Sequence, residues 1–294
     1  MNAKQVLSNC LSFVTPSMHK MRRLSLFSAI ESVMNGGSLS VTGLGRNINN
    51  AAKEKHRIKR VDRLCNNAHL QSEIPHIYHR MANMFITTNQ PIILVDWSDL
   101  DPRKQSFLIR ASLATQGRSL TLLEEVYPLN QKEKPQIHSK FMHKLKAMLP
   151  DDCKPIVVTD AGFRVPWFQL IESLGWDFIG RVRNRTHCKR KSSNTWFPVK
   201  DLYLKATRKS KDLGVYQQVR QHEFESRFIV LKRKPKGRKD KTATSKEARK
   251  SKSSRASAER ENEPWLLATS LKEKKDLSKF VVKIYATRMK VLET

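Results

Sequence analysis

The chain has 294 residues, and its 56 Lys and Arg against 27 Asp and Glu give a formal net charge of +29. This charge favours an acidic polymer as the partner, with nucleic acid as the first choice. It has no apolar run near the ~20 residues needed to span a bilayer and no convincing signal peptide, which argues against a membrane partner. The four cysteines have no paired spacing, which argues against a zinc site or disulfide framework and for a reducing cytoplasm.

Residues 1–88 are predicted to form a helical DNA-binding domain. Apolar side chains recur at helical spacing over residues 21–33, and Asn-Gly-Gly at 35–37 ends that run. A second helical segment, NINNAAKEKHRIKRVDRLCNN, has one apolar face surrounded by positive charge. Such a unit suits contact with a DNA groove or with phosphates, and the alternative is an ordinary helix with a solvated basic face. The candidate DNA-binding residues of this domain are Arg46, Lys59, Arg60 and Arg63.

Two short hydrophobic runs each lead into an aspartate. Residues 91–99 read PIILVDWSD and residues 154–163 read KPIVVTDAGF, which predicts Asp96 and Asp160 at the exits of two buried strands. A carboxylate is costly to bury alone, so the pair needs a reason. One interpretation is a pair of ligands for divalent metal ions, because oxygen donors suit Mg²⁺. The other is two aspartates that begin turns, and the two residues by themselves leave both open.

The order of elements after residue 91 predicts the fold class. Three strands follow one another, with a turn at Gly117-Arg118 between the second and third. Next come a helix, the strand that leads to Asp160, a second helix that ends before Gly175, and a further strand. The order β-β-β-α-β-α-β is the ribonuclease-H-like arrangement. We therefore predict an α/β fold whose mixed-sheet catalytic core has its first part in residues 89–195.

A β-rich insertion is predicted over residues 196–263. Within it, residues 232–260 contain 13 Lys or Arg against 3 Asp or Glu, and no aliphatic side chain larger than Ala. Such a segment cannot bury enough apolar surface to order itself, so we predict a disordered basic loop. The loop would contact phosphates without sequence preference, or would serve as a solubilising linker. Residues 264–294 return to the core as a strand and a last helix that ends without a cap and looks cut short.

Five segments in this order resemble the bacterial insertion-sequence-four family of DDE transposases, and most of all its insertion-sequence-ten members. The segments are VDWSD, VTDAGFRVPWF, LGWDFIGRVR, PWLLATS and IYATRM. The resemblance implies a ribonuclease-H-like core and cut-and-paste DNA transposition. It also implies two Mg²⁺ ions, for which Mn²⁺ can substitute, held by two Asp and one Glu. The implied partners are double-stranded DNA, as terminal inverted repeats and target, and a second copy in a synaptic dimer at the nucleoid.

Individual residues inherit roles from this resemblance. Asp96 and Asp160 match the two catalytic aspartates. Trp265 matches a tryptophan that receives a flipped base, and the alternative for it is core packing. Tyr285 and Arg288 match the first two members of the Tyr-Arg-Glu-Lys signature and are candidate DNA contacts.

The third carboxylate departs from the family pattern. The glutamate position is Leu292, Glu293 follows one residue late, and the signature lysine is absent. One residue rotates a side chain by about 100° around a helix, and leucine cannot bind a metal ion. An adjusted helix that brings Glu293 to the site, a frameshift, or a natural truncation that binds DNA without cutting it would each explain the departure.

Three functions follow from these features. The first is a transposase. The second is a DNA-binding remnant that inhibits transposition, and the third is another nuclease of the same fold that cleaves branched DNA.

Overall fold

The computed structural model describes residues 2–101, 103–183, 186–220, 223–234, 247 and 251–291. The chain divides into two compact units, one of Met1–Thr87 with Met148–Pro150 and one of Thr88–Ala147 with Asp151–Thr294. Among the helices within the described ranges, none has both the length and the apolar character that crossing a membrane requires.

The described part of the first unit is helical, as its apolar periodicity predicts. Side-chain caps begin three of the helices. Asn2 Oδ1 accepts a hydrogen bond from the Gln5 amide at 2.9 Å, Ser40 Oγ accepts one from the Gly43 amide at 3.0 Å, and Asn67 Oδ1 accepts one from the Leu70 amide at 2.9 Å. The helices are α1 (Ala3–Val14), α2 (Lys20–Met34), α3 (Val41–Asn47), α4 (Glu54–Cys65) and α5 (Ala68–Phe85).

Helices α3 and α4 pack with their backbones close together. A Cβ atom placed on Gly45 of α3 would lie 2.5 Å from the Cα atom of Ile58 in α4. Val61 and Leu64 of α4 are buried on the same side of the helix as Ile58, one and two turns further along. The apolar face of α4 is therefore packed within the unit, and its basic side chains lie on the rest of the helix surface.

One mixed sheet organises the described part of the second unit. Its strands are β1 (Ile92–Asp99), β2 (Ser106–Ala114), β3 (Ser119–Pro128), β4 (Ile156–Thr159), β5 (Asp177–Arg181), β6 (His187–Arg190), β7 (Phe197–Pro198), β8 (Lys211–Gln218), β9 (Phe224–Leu231) and β10 (Trp265–Thr269). They lie in the order β3-β2-β1-β4-β5-β10-β9-β8-β6-β7. Strands β1, β4 and β5 are parallel to one another, and the other pairs are antiparallel. The order 3-2-1-4-5 confirms the predicted ribonuclease-H-like mixed sheet.

Four helices complete the described part of this unit: α6 (Pro135–Met148), α7 (Val165–Ser173), α8 (Lys252–Glu261) and α9 (Leu277–Val291). Pro166 lies in the first turn of α7, where its missing N–H costs no hydrogen bond. Val281 and Ile284 of α9 share a buried cluster with Val158 of β4 and Leu267 of β10. The last helix thereby packs on the central strands.

The strands of the predicted insertion extend the same sheet. Strand β10 pairs antiparallel with both β5 and β9, so it joins the first five strands to the later ones. The short strand β6 pairs with β7 and β8. The predicted boundary at 195/196 falls inside this antiparallel group, because a four-residue strand carries too little pattern to be recognised before its partners are known.

The predicted disorder of residues 232–260 is wrong at the C-terminal end, where α8 forms. The Oγ atom of Ser251 accepts a hydrogen bond from the Ser254 amide at 3.2 Å and caps the helix. Ala, Arg, Lys and Glu are good helix formers, so a segment too polar to build a core still forms a capped helix. Residues 235–246 and 248–250 of the predicted loop lie outside the described residues.

Substitution of Gly45 tests the close approach of α3 and α4. Gly45→Ala is expected to lower the free energy of unfolding of the helical unit by about 1–3 kcal/mol, because the new methyl group overlaps the Ile58 backbone. Thr42→Ala, at an exposed position of the same helix, is the control and should change stability by less than about 0.5 kcal/mol. Urea unfolding followed by circular dichroism measures both, and equal effects would contradict the packing.

Candidate active site

The two predicted aspartates lie at one edge of the parallel strands. Strand β1 pairs with β4 as far as Leu94 opposite Val158, and Asp160 directly follows β4. Asp96 lies two residues beyond Leu94, but it is inside β1 and not at the exit of the strand as predicted. The reason is that β2 continues to pair with β1 through Asp99. Because β1 and β4 run in the same direction, both carboxylates come to the same edge.

Each carboxylate is oriented by a backbone amide. Asp96 Oδ1 accepts a hydrogen bond from the Trp97 amide at 3.0 Å, and Asp160 Oδ1 accepts one from the Gly162 amide at 2.7 Å. The Gly162 bond is the kind that an aspartate makes when it begins a turn. Asp160 therefore begins a turn through its Oδ1 atom, as one of the two interpretations predicts. Its Oδ2 atom takes no part in the hydrogen bond of that turn. The turn and a site at this carboxylate are compatible.

The guanidinium of Arg288 links the two carboxylates. Its Nη2 atom lies 2.9 Å from Asp96 Oδ2 and 3.8 Å from Asp160 Oδ2. The Arg288 side chain is 11% exposed, the Asp96 side chain 27% and the Asp160 side chain 40%. The sequence predicts Arg288 as a DNA contact, whereas the structure places it on the acidic pair.

The electrostatics of this group follow from burial and charge. Burial raises the pKa of Asp96, the Arg288 guanidinium opposes that rise, and the nearby Asp160 adds to it. Burial alone would lower the pKa of Arg288. The nearby Asp96, Tyr285 and Asp160 together outweigh burial, so the pKa of Arg288 is raised. The arginine therefore stays charged and is the counterion of the pair.

The donor set fits a hard divalent cation in part. Carboxylate oxygens are the ligands that Mg²⁺ takes from proteins, and Asp96 and Asp160 supply two carboxylates. Within the described ranges, no cluster of three His, Cys, Asp or Glu side chains could hold a metal ion. The third ligand of the family would come from the position of Leu292 or from Glu293. Both residues lie outside the described residues.

A cavity of about 780 Å³ opens beside Asp160 and is strongly basic. Burial lowers the pKa of Arg181, and the neighbouring Arg183 lowers it further. The Nε atom of Arg181 is buried and makes no hydrogen bond, and an anion entering the cavity would meet positive charge from the arginines of its wall. The arginines that line the cavity are Arg164, Arg181, Arg183, Arg220 and Arg260.

These arginines are absent from the candidate residues of the sequence. They come from the loop after β4, the end of β5, the β8–β9 connection and the end of α8, and only folding brings them together. The one local signal is the basic run GRVRNR that begins at the end of β5.

The candidate DNA contacts of the helical unit differ in their surroundings. Arg46 Nε lies 2.9 Å from Glu54, and Lys59 Nζ lies 3.8 Å from Asp62. Arg60 Nε donates to Ser25 Oγ at 3.1 Å. These bonds fix Arg60 against α2 and neutralise part of the charge on the other two. Arg63, which is also on α4, is exposed.

Trp265 and Tyr285 lie in the hydrophobic core. Trp265 is 6% exposed and Tyr285 is 1% exposed, and their ring centroids are 4.8 Å apart in an edge-to-face arrangement. The guanidinium of Arg233 lies 4.3 Å from the centroid of the Trp265 ring. This position agrees with the core-packing alternative for Trp265. Stacking of a flipped base on this ring would first require Arg233 to move.

Another buried group, His138, lies near the pair. His138 of α6 is 7% exposed, and its Nε2 atom is 3.0 Å from Trp97 Nε1. Its ring also contacts Phe163 and Trp167, with centroids 5.3 and 4.9 Å away. In the sequence His138 is one histidine on an amphipathic helix, which carries no signal of these contacts.

Comparison with known proteins identifies a family. Residues 87–291, more than half of the chain, match the family model described as transposase DDE domain. Among solved structures, the chain is similar to the cryo-EM structure of a piggyBac transposase synaptic complex with hairpin DNA, at 12% identity and a TM-score of 0.49. That similarity covers 98% of this chain and 64% of the other, so the chain spans less than two thirds of the transposase's length. No curated protein matches the chain significantly.

Removal of the Arg288 charge tests the ion pair. Arg288→Met leaves two carboxylates without a counterion, and we expect a loss of about 1–3 kcal/mol in the free energy of unfolding at pH 7, less than for a fully buried pair. The same substitution in an Asp96→Asn background should cost less, since one of the charges is gone. Lys279→Met, which removes an exposed ion pair on the same helix, is the control. Equal losses in the wild-type and Asp96→Asn backgrounds, measured by urea unfolding, would contradict the coupling.

Proposed function

Because the chain belongs to the family of DDE transposases, we propose that it binds the ends of a mobile DNA element and cleaves and joins phosphodiester bonds there. One observation carries the proposal. Two carboxylates from neighbouring parallel strands, Asp96 and Asp160, converge on the guanidinium of Arg288 inside the segment that matches the family. A pair of acids held at one edge of such a sheet can bind the divalent metal ions that support chemistry on phosphates.

Asp96 and Asp160 are the residues that would hold divalent metal ions, which DDE transposases generally use. We propose Mg²⁺, with Mn²⁺ as a substitute, because both prefer oxygen ligands. Metal ions bound there would activate water or a DNA 3′-hydroxyl and stabilise the leaving oxygen. The chain's own residues orient the acids, through the Trp97 and Gly162 amides.

The positive charge supports DNA as the substrate. We propose that the arginine-lined cavity beside Asp160 binds a stretch of DNA backbone next to the acidic pair. Guanidinium groups bind phosphate through several donors, and five arginines line this cavity. The helical unit, with Arg63 exposed on α4, would add DNA contacts of its own.

A second candidate function is DNA binding without cleavage. The observation that favours it is Leu292 at the position of the family's third carboxylate. A protein that occupies element ends without cutting them would inhibit transposition by active relatives. The insertion-sequence-four assignment, a bacterial source, a synaptic homodimer and a cytoplasmic, nucleoid-associated location remain predictions from the resemblance.

A cleavage assay separates the two candidates. The probe is a supercoiled plasmid that carries the DNA flanking the coding sequence on both sides, incubated with Mg²⁺ or Mn²⁺. Under the first candidate the wild-type protein nicks the plasmid, and Asp96→Asn or Asp160→Asn reduces nicking by about 10³-fold, since metal catalysis supplies several kcal/mol. Asp99→Asn, an exposed acid on the same strand, is the control. Tight binding with no more nicking than Asp96→Asn, at every metal concentration, would favour the second candidate.

DNA binding is expected to weaken steeply with salt. A protein that contacts six or more phosphates loses about 10³-fold in affinity between 50 and 200 mM salt. Arg220→Gln should weaken binding and reduce the slope of log affinity against log salt by about 1. Arg118→Gln, in the exposed turn between β2 and β3, is the matched control. Fluorescence anisotropy with a labelled duplex measures both, and an affinity that hardly changes with salt would refute phosphate contact.

A further inference from the structure

A compact aromatic cluster lies next to the acidic pair. We define it as Trp97, His138, Phe163 and Trp167, each of which contacts at least one other member. His138 is its centre: its ring is stacked with Phe163 at 5.3 Å and lies edge-to-face with Trp167 at 4.9 Å. The centroids of Phe163 and Trp167 are 4.5 Å apart.

One directed hydrogen bond distinguishes this cluster from ordinary packing. Trp97 Nε1 is 3.0 Å from His138 Nε2. An indole N–H only donates, so Nε2 must accept and carries no proton. Burial lowers the pKa of His138 to about 4, which keeps the ring neutral near pH 7. The proton of the neutral ring is therefore on Nδ1.

The cluster contacts both segments that carry the acids. Trp97 follows Asp96 in β1, and its amide donates to Asp96 Oδ1 at 3.0 Å. Phe163 follows the turn in which the Gly162 amide donates to Asp160 Oδ1 at 2.7 Å. A single imidazole from α6 thus touches the residue after one acid and the end of the turn formed by the other.

We propose that His138 is a positioning residue that holds the Asp96 and Asp160 segments in a fixed relation by accepting the Trp97 indole hydrogen bond and stacking on Phe163. The proposal rests on the proposed function only in treating the two acids as a metal-binding pair. A residue outside the coordination sphere that orients the ligands commonly controls metal affinity.

Plain core filling is the competing explanation. Burying an imidazole costs free energy that a leucine of similar size would avoid, and one hydrogen bond recovers only part of that cost. A histidine that merely fills space could be replaced by leucine without effect on either acid. A histidine that positions them could not, but glutamine could replace it, because its amide oxygen can accept from the indole.

Amide hydrogen exchange tests the positioning directly. In His138→Leu, exchange of the Trp97 and Gly162 amides should accelerate at least tenfold more than exchange of the Val230 amide in the distant strand β9. In His138→Gln the two amides should stay near their wild-type rates. His143→Leu, the same change at an exposed position of α6, is the control. Uniform acceleration across the sheet, or none at Trp97 and Gly162, would overturn the proposal.

Mn²⁺ binding, measured by the electron paramagnetic resonance signal of free Mn²⁺, connects the cluster to the acids. His138→Leu and Trp97→Phe should each weaken binding by about 10–100-fold, while His138→Gln should stay within about threefold of wild type. Wild-type affinity in His138→Leu would overturn the proposal. If the wild type binds no Mn²⁺ while exchange still accelerates selectively at Trp97 and Gly162, the positioning role stands and the metal site of the proposed function fails.

Discussion

The contact of one guanidinium with two carboxylates is the interaction on which this structure depends. Parallel pairing of β1 and β4 brings Asp96 and Asp160 to one edge, where two partly buried negative charges repel each other. Arg288, carried by the last helix, lies within 3.8 Å of both. Helix α9 packs into the core of the sheet unit through Val281 and Ile284, and this packing places the Arg288 cation beside the two acids.

The surroundings of the acidic pair divide into two kinds. On one side of the pair, the cluster around the buried His138 orients the two segments through a hydrogen bond and stacked rings. Asp160 also lines the cavity with its five arginines, where a phosphate chain would be attracted. A small site of negative charge within a strongly positive chain suits a substrate whose backbone is bound by cations while its reacting bond lies beside acids.

Most of the fold was predictable because local patterns of apolar residues specify most of its strands and helices. Alternating or continuous apolar runs predict β1 to β5, and helical periodicity predicts α2, α4, α6, α7 and α9. The exceptions have physical causes. Asp96 lies inside β1 because β2 continues to pair beside it, and pairing partners are not visible in a single run. The helix α8 formed in a predicted disordered loop because capping and helix propensity act without a hydrophobic core.

The sequence by itself was enough to identify the two aspartates as candidate site residues, the excess of positive charge and the family. Each of these is a property of composition or of a short motif. The tertiary structure alone decided that Arg288 pairs with the acids, that Trp265 is buried and that His138 joins the segments of both acids. Arg288 and Asp96 are 192 residues apart, and Trp97 and His138 are 41 apart. Contacts of that range follow from the packing of α9 and α6 around the sheet, which no local periodicity specifies.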